Sequence, residues 1–368
     1  MFESRIQNVK AKLKKASLDG ILISSVGNIN YLTGYSNFSK DEREAYLIIG
    51  QDFQYIITDG RYAAAVKNLI PNFTLYERGH NNPTENLLKN LKKKVQNLGV
   101  EENNLTVSEH KFFRKYFRKI KDLDIKDHRS IKSPEEIKKI EAAAKLGDKA
   151  FEFILKKIKE GITEEELAFE IELYIKKNGA TLSFPSIVAF GANSSVPHHQ
   201  TGNTKLKKGD FVLLDFGVKF KNYCSDMTRT VFFGKVTDKQ RKIYEMVLEA
   251  QERTVDFVNE SIKKGKEVKA KDVDKVARQY IFSKGFPSIP HSLGHGIGLE
   301  VHESPHLSPK SKDILQEGMV FSIEPGIYLP AGRQGIPDFG GVRIEDLYVF
   351  EKKGLRQITN SPKEFIEV

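Results

Sequence analysis

Apolar residues form two kinds of run along these 368 residues. Some recur every three or four positions and predict helices, whereas short continuous blocks predict strands buried on both faces. The most informative block is Phe211-Val212-Leu213-Leu214, which runs straight into Asp215 within KGDFVLLDFGVKFKNYCSDMTRTVFF (208–233). The stretch predicts a β-hairpin whose two strands each carry an aspartate, Asp215 and Asp226. Burying an ionised acid alone is costly, so each aspartate calls for a proton, a base or a cation beside it. A cation between the two would also relieve their mutual repulsion.

The first 128 residues read as an α/β unit. Apolar, β-branched blocks predict strands at 20–24, 45–49, 54–58 and 105–107, and helical periodicity predicts helices near 3–18, 85–98 and 110–119. NINYLTGYSNF (28–38) reads as a loop, and no cluster of acids and histidines appears here. The texture changes near Ser130. Ser133-Pro134-Glu135-Glu136 is a capping box with proline at the first helical position, so a new helix opens there, and domains of 1–128 and 129–368 are expected.

An internal repeat follows. IKEGITEEELAFEIELYIKKNG (158–179) ends one helix, turns and starts another, capped by Thr163 and Glu166, and FPSI comes soon after at Phe184. IKKGKEVKAKDVDKVARQYIFSKG (262–285) repeats helix, turn and helix, and FPSI recurs at Phe286. The first copy runs into the Asp215–Asp226 hairpin. The second runs into VFSIEPGIYL (320–329) and GVRIEDLYVF (341–350), which carry Glu324 and Glu345 in equally apolar surroundings. Two such units folded about a pseudo-twofold axis would bring two acids from each half to the centre.

Between the second helix pair and Glu324 lies HSLGHGIGLEVHE, with His291, His295 and His302; Gly294, Gly296 and Gly298 around His295 leave little bulk, so backbone and ligand are expected to come close there. Four carboxylates and one imidazole match two divalent cations in charge and donor type. An oxygen-rich set with one nitrogen favours Mn²⁺, with Co²⁺, Fe²⁺ or Zn²⁺ as alternatives. Two close metals activate water and polarise a carbonyl, which is the chemistry of amide or ester hydrolysis.

Composition narrows the setting. With 39% hydrophobic residues the chain suits a globular protein, and no stretch resembles a membrane span. The opening MFESRIQNVKAKLKKA lacks an apolar core, so no signal peptide and a cytoplasmic location are expected. A single cysteine, Cys224, excludes an internal disulfide and is read as core packing. The net charge of +10 raises a nucleic-acid partner, with Lys92 to Lys94 and KFFRKYFRKIK (111–121) the best candidates, but lysines spread over most predicted helices and read as solvated faces.

LLDFG, SDMTRT, GHGIGLEVHE, SIEPGIY and GVRIED together resemble the proline-specific branch of the methionine aminopeptidase and prolidase superfamily, the pita-bread metallopeptidases, over about 130–350. The first 128 residues resemble the creatinase-type domain that precedes this fold. The resemblance implies a creatinase-like α/β domain, then an α+β pita-bread catalytic domain with a pseudo-twofold repeat. It implies a Xaa-Pro aminopeptidase, in which a metal-bridging hydroxide attacks the scissile carbonyl of peptides with proline second, with a Xaa-Pro dipeptidase as the alternative. Two further readings are a metal-free creatinase-like hydrolase and a binding protein on the same scaffold.

Residue by residue, the resemblance implies that Asp226 and Glu345 bridge two metals, Asp215 completes one, and His295 with Glu324 completes the other. Glu324 would relay the proton to the leaving amine, and His198, His291 and His302 would face substrate; His199 reads as a bystander. Arg343 lies two residues before Glu345, so it is expected to orient that carboxylate or reach substrate. LPAGRQGIPDFGG (329–341) reads as a loop near the site mouth, and a homodimer is implied.

Overall fold

A computed structural model describes residues 1–330 and 340–368, so most of the 329–341 loop lies outside the described residues. The chain divides into two compact units, Met1–His128 and Arg129–Val368.

In the first unit, helices α1 (Phe2–Ala16), α2 (Val26–Thr33), α3 (Gly60–Leu69), α4 (Thr84–Leu91) and α5 (Val107–Arg114) accompany one mixed sheet. Its strands are β1 (Gly20–Ile23), β2 (Tyr46–Gly50), β3 (Gln54–Asp59), β4 (Thr74–Arg78), β5 (Asn97–Val100) and β6 (Lys119–Asp122), in the order β4-β3-β2-β1-β5-β6. The first three expected strands are present, but several other expectations are corrected. The expected loop at 28–38 begins inside the buried helix α2. The expected 85–98 helix ends at Leu91, and Asn97 opens a strand. No strand forms at 105–107, because Thr106 and Glu109 make a reciprocal capping box that starts α5 there. That helix stops at Arg114, and Lys119–Asp122 becomes an exposed edge strand with too few apolar residues to announce itself.

The second unit starts as the capping signals predict. Ser133 and Glu136 cap α6 (Pro134–Leu155), and Thr163 and Glu166 cap α7 (Glu164–Lys177). Strands β7 (Thr181–Leu182), β8 (Ile187–Phe190), β9 (Phe211–Phe216), β10 (Val218–Phe220), β11 (Tyr223–Cys224) and β12 (Met227–Phe232) follow. The second helix pair is α8 (Asp238–Lys263) and α9 (Ala270–Ser283). Then come β13 (Val268–Lys269, between those helices), β14 (Gly294–Gly296), β15 (Glu303–Leu307), β16 (Ile314–Leu315), β17 (Val320–Ile323), β18 (Gly326–Leu329), β19 (Gly340–Arg343), β20 (Asp346–Glu351) and β21 (Gly354–Gln357).

The repeat shows in the strand pairing. In the first half, β9 pairs antiparallel with β12, and the small β10–β11 hairpin is inserted between them. In the second, β17 pairs antiparallel with β20 around an inserted β18–β19 hairpin. Met227 faces Phe216 and Asp346 faces Ile323, so Asp226 and Glu345 each sit one residue before the outer returning strand. Their equivalence is therefore positional as well as chemical. Asp215 and Glu324 are not equivalent: Asp215 lies within β9 opposite Thr228, whereas Glu324 lies just past the end of β17. Among the four acids only Asp215 is within a strand. The others occupy short breaks where the outer ladder gives way to the inserted hairpin.

Candidate active site

The strand ends position the site. Asp215, Asp226, His295, Glu324 and Glu345 all line a cavity of about 440 Å³, together with His198, His291, His302, His306 and Arg343. One ligand atom each from Asp226, His295 and Glu345 lies within 4.8 Å of the others. His295 Nε2 is 3.6 Å from Asp226 Oδ2 and 3.4 Å from Glu324 Oε1. The glycines beside His295 let strands approach rather than ligand: a Cβ on Gly294 would lie 2.0 Å from the Ser322 carbonyl, and one on Gly296 2.1 Å from that of Ser304.

Three carboxylate oxygens in this cavity, Asp215 Oδ1, Asp226 Oδ1 and Glu345 Oε1, are buried with no hydrogen-bond partner among the described residues. Buried polar atoms in folded proteins are normally satisfied, so three orphans of one kind around one cavity call for a cation. The donor set of four carboxylates and one imidazole fits divalent metal. Electrostatics point the same way. Burial first, then Glu345, Asp215 and Glu324, pushes Asp226 well above the carboxylate range. Burial and Glu345 do the same to Glu324, while burial and Asp215 push Glu345 up to about 8. Burial raises Asp215 as well, against the pull of Arg343. Burial holds His295 down to about 3, with His302 beside it, so its imidazole is neutral and available to donate a lone pair.

Arg343 lines the cavity, but the carboxylate it bonds directly is Asp215 and not the expected Glu345. Its Nη2 donates to Asp215 Oδ2 at 2.6 Å, not to Glu345, because β19 ends at Arg343 and the alternation of faces does not carry across the break. It reaches Glu345 only through Thr228, whose Oγ1 accepts from Arg343 Nε at 3.0 Å and donates to Glu345 Oε2 at 2.7 Å. Arg343 Nη1 also donates to Tyr328 Oη at 3.0 Å and to the Pro197 carbonyl at 3.3 Å.

The other expected residues are also placed. His198 and His302 are exposed on the cavity wall, and the His302 ring lies edge-on to His295 with centroids 4.4 Å apart. His291 Nδ1 lies 2.8 Å from the Ser292 carbonyl and Nε2 lies 2.8 Å from Tyr328 Oη. Cys224 is buried, its backbone N–H bonded to Gly298. Sequence reasoning missed Tyr328, Thr228, Ser322 and His306. Tyr328 was within reach: it faces Gly341 while Arg343 faces Gly326, so the two are diagonal neighbours on one face of a hairpin. Ser322 binds the His295 N–H and Glu324, a bond that only the β14–β17 pairing reveals.

Two family models cover nearly all of this chain: the creatinase/prolidase N-terminal domain over residues 5–131, and metallopeptidase family M24 over residues 138–352. The chain belongs to metallopeptidase family M24. A Xaa-Pro dipeptidase of Pyrococcus horikoshii is 35% identical over 100% of the chain and 99% of that protein. The solved structure of a Xaa-Pro dipeptidase from Bacillus anthracis superposes with a TM-score of 0.89 at 34% identity, covering 100% of both chains. An X-Pro aminopeptidase structure from Thermotoga maritima gives 0.84 at 32% identity, covering 99% of this chain and 100% of its own. These solved structures share the architecture described above, and the chain is a metallo-exopeptidase of the M24 family. No described helix is long and apolar enough to cross a membrane.

Proposed function

We propose that this M24 peptidase is a Xaa-Pro dipeptidase that uses two divalent cations, Mn²⁺ foremost, held by Asp215, Asp226, His295, Glu324 and Glu345. The observation that supports the metal site is the trio of buried, partnerless oxygens on Asp215, Asp226 and Glu345. Relatives named as Xaa-Pro dipeptidases match end to end, and they favour dipeptide cleavage over the aminopeptidase activity that the motifs first suggested.

Bound there, the cations would supply Lewis acidity and water activated at neutral pH. The chain's own residues do the rest. Glu324 stands beside His295 and Ser322 and carries the proton to the leaving proline nitrogen. Arg343 fixes Asp215, and Thr228 fixes Glu345, so neither carboxylate reorients when substrate enters. His198 and His302 would meet substrate from the exposed cavity wall, His302 with His291 on the scissile-carbonyl and proline side. Both ring nitrogens of His291 are engaged, so substrate that contacts it must displace Ser292 or Tyr328.

The test uses metal-stripped enzyme, Mn²⁺ titration, and two substrates, a Xaa-Pro dipeptide and a Xaa-Pro-Yaa-Yaa tetrapeptide. Mn²⁺-dependent hydrolysis of the dipeptide over the tetrapeptide is expected. Preference for the tetrapeptide returns the assignment to an aminopeptidase, and hydrolysis without metal overturns the dinuclear reading. A homodimer is also proposed, and a monomeric mass by light scattering would overturn it.

A further inference from the structure

The most completely bonded buried acid outside the cation cluster that touches an active-site loop is Glu164, the first residue of α7. Its side chain has no solvent exposure. Oε1 accepts from the Phe190 N–H at 2.8 Å and from Asn193 Nδ2 at 2.8 Å. Oε2 accepts from the Gly202 N–H at 3.1 Å and faces His199 Nε2 at 2.9 Å, where an Nε2–H donates. These four donors come from the last residue of β8, from the 3-10 turn that follows it (Gly191–Ser195) and from the segment after that turn, which carries Pro197 and His198. The same stretch is tied to the site from the other side. Gly341 donates to Ser194 Oγ at 2.7 Å, and Arg343 donates to the Pro197 carbonyl.

We propose that Glu164, acting through His199 and the loop backbone, is a positioning residue that holds His198 at the substrate cavity. The inference rests on the peptidase reading above and adds to it a residue about which the motifs say nothing. It also gives His199 a task. A stretch without regular strands loses its geometry unless its backbone and side-chain polar groups are bound, and one buried carboxylate binding four of them fixes the whole arc. His198 is exposed, so its place depends on the backbone segment that carries it.

Three variants test this, assayed on a Xaa-Pro dipeptide with saturating Mn²⁺. Glu164→Gln turns one acceptor oxygen into an NH₂ that meets N–H donors, and a fall in kcat/KM of about 10- to 100-fold is expected. His199→Ala should lower it by about 10-fold, and His199→Gln, which keeps an N–H donor, should recover most of that loss. In a His198→Ala background the further effect of either change should shrink to about twofold or less, because the residue being positioned is gone. Mn²⁺ stoichiometry by calorimetry should match wild type throughout, since Glu164 touches none of the five proposed ligands. Should Glu164→Gln not fold, the His199 pair alone decides. Full additivity with His198→Ala, or wild-type kcat/KM in both His199 variants, overturns the inference while leaving the peptidase intact. A wild-type enzyme inactive on every Xaa-Pro peptide overturns the functional reading and this inference with it.

Discussion

Glu345 and Asp346 are consecutive acids, both buried, and they live in opposite electrostatic worlds. Asp346 Oδ1 accepts from Arg229 Nη2 at 2.6 Å and Thr359 Oγ1 at 2.8 Å, while Oδ2 accepts from Gln251 Nε2 at 3.1 Å and forms an ion pair with Lys363 Nζ, also at 3.1 Å. Arg229 in turn places five N–H bonds on Asp346 and on the carbonyls of Pro362, Thr228, Glu345 and Ser361. That equals the number of donors a guanidinium has. Glu345, on the other face, has a single bond on Oε2 from Thr228, and its Oε1 has none. Burial alone therefore does not mark a functional acid. What separates the two is whether the protein itself completes the carboxylate. Asp346 is finished by the fold, whereas Glu345, Asp226 and Asp215 are left for something the fold does not contain.

The largest expected effect falls on the unfinished side. Asp226→Ala removes a proposed ligand shared by both metals and should abolish Mn²⁺ binding and Xaa-Pro hydrolysis, read by calorimetry and a dipeptide assay. The same change should leave the metal-free protein at least as stable as wild type, because it deletes a buried acid that has an oxygen without a partner. Retained activity, or a large fall in the metal-free Tm, would erase the contrast with Asp346.

The finished side should respond in the opposite sense. Asp346→Ala leaves Arg229, which is 1% exposed, without its carboxylate. A loss of about 3–5 kcal/mol is expected from stranding one partner of a buried ion pair, measured by denaturant unfolding of metal-free protein. An unfolding free energy unchanged from wild type would mean that the saturated network contributes nothing.

A pH series on metal-stripped protein separates the two acids more finely. Glu345 is pushed up to about 8 from 4.5 by burial, then Asp215, so the folded state binds its proton more tightly than the unfolded state does. Stability from that proton is fully present below about pH 4.5 and is lost as pH rises toward 8. Metal-free wild type should therefore lose stability across that window, and Glu345→Gln should flatten the Glu345 part of the slope. Saturating Mn²⁺ should flatten it too, since a cation replaces the proton. A slope identical in wild type and Glu345→Gln would show that Glu345 does not titrate there.

How much of this was legible in the sequence depends on range. Asp215, Glu324 and Glu345 announced themselves because acids in apolar blocks are conspicuous, and the repeat paired them across more than a hundred residues. The architecture of the second unit followed from caps and the repeat. Asp346 sits in the same apolar run as Glu345 and passed unnoticed, because its partner Arg229 is 117 positions away and pairing at that range has no local signature. Arg343 was read one carboxylate away from its true partner, since the strand break after it is invisible to a rule of alternating faces. In the first unit, strands β4 and β6 are short and partly exposed at the sheet edges, so little apolar patterning marked them.

The smallest effects give the sharpest comparison, because two threonines serve the two acids in parallel. Thr228 Oγ1 donates to Glu345 and accepts from Arg343, whereas Thr359 Oγ1 donates to Asp346 and accepts from the Leu347 N–H. Both are almost fully buried, and valine replaces either hydroxyl with little change of volume. Thr359→Val should cost about 1–3 kcal/mol, the penalty for unsatisfied buried groups, with kcat/KM on a Xaa-Pro dipeptide unchanged. Thr228→Val should instead weaken Mn²⁺ binding or kcat/KM by about 10-fold, because it frees a proposed ligand and loosens the arginine that holds Asp215. Stability and catalysis would then separate between two hydroxyls that donate to neighbouring acids. If Thr359→Val lowered kcat/KM as much as Thr228→Val, the two networks would act as one, and the division between Glu345 and Asp346 would not hold.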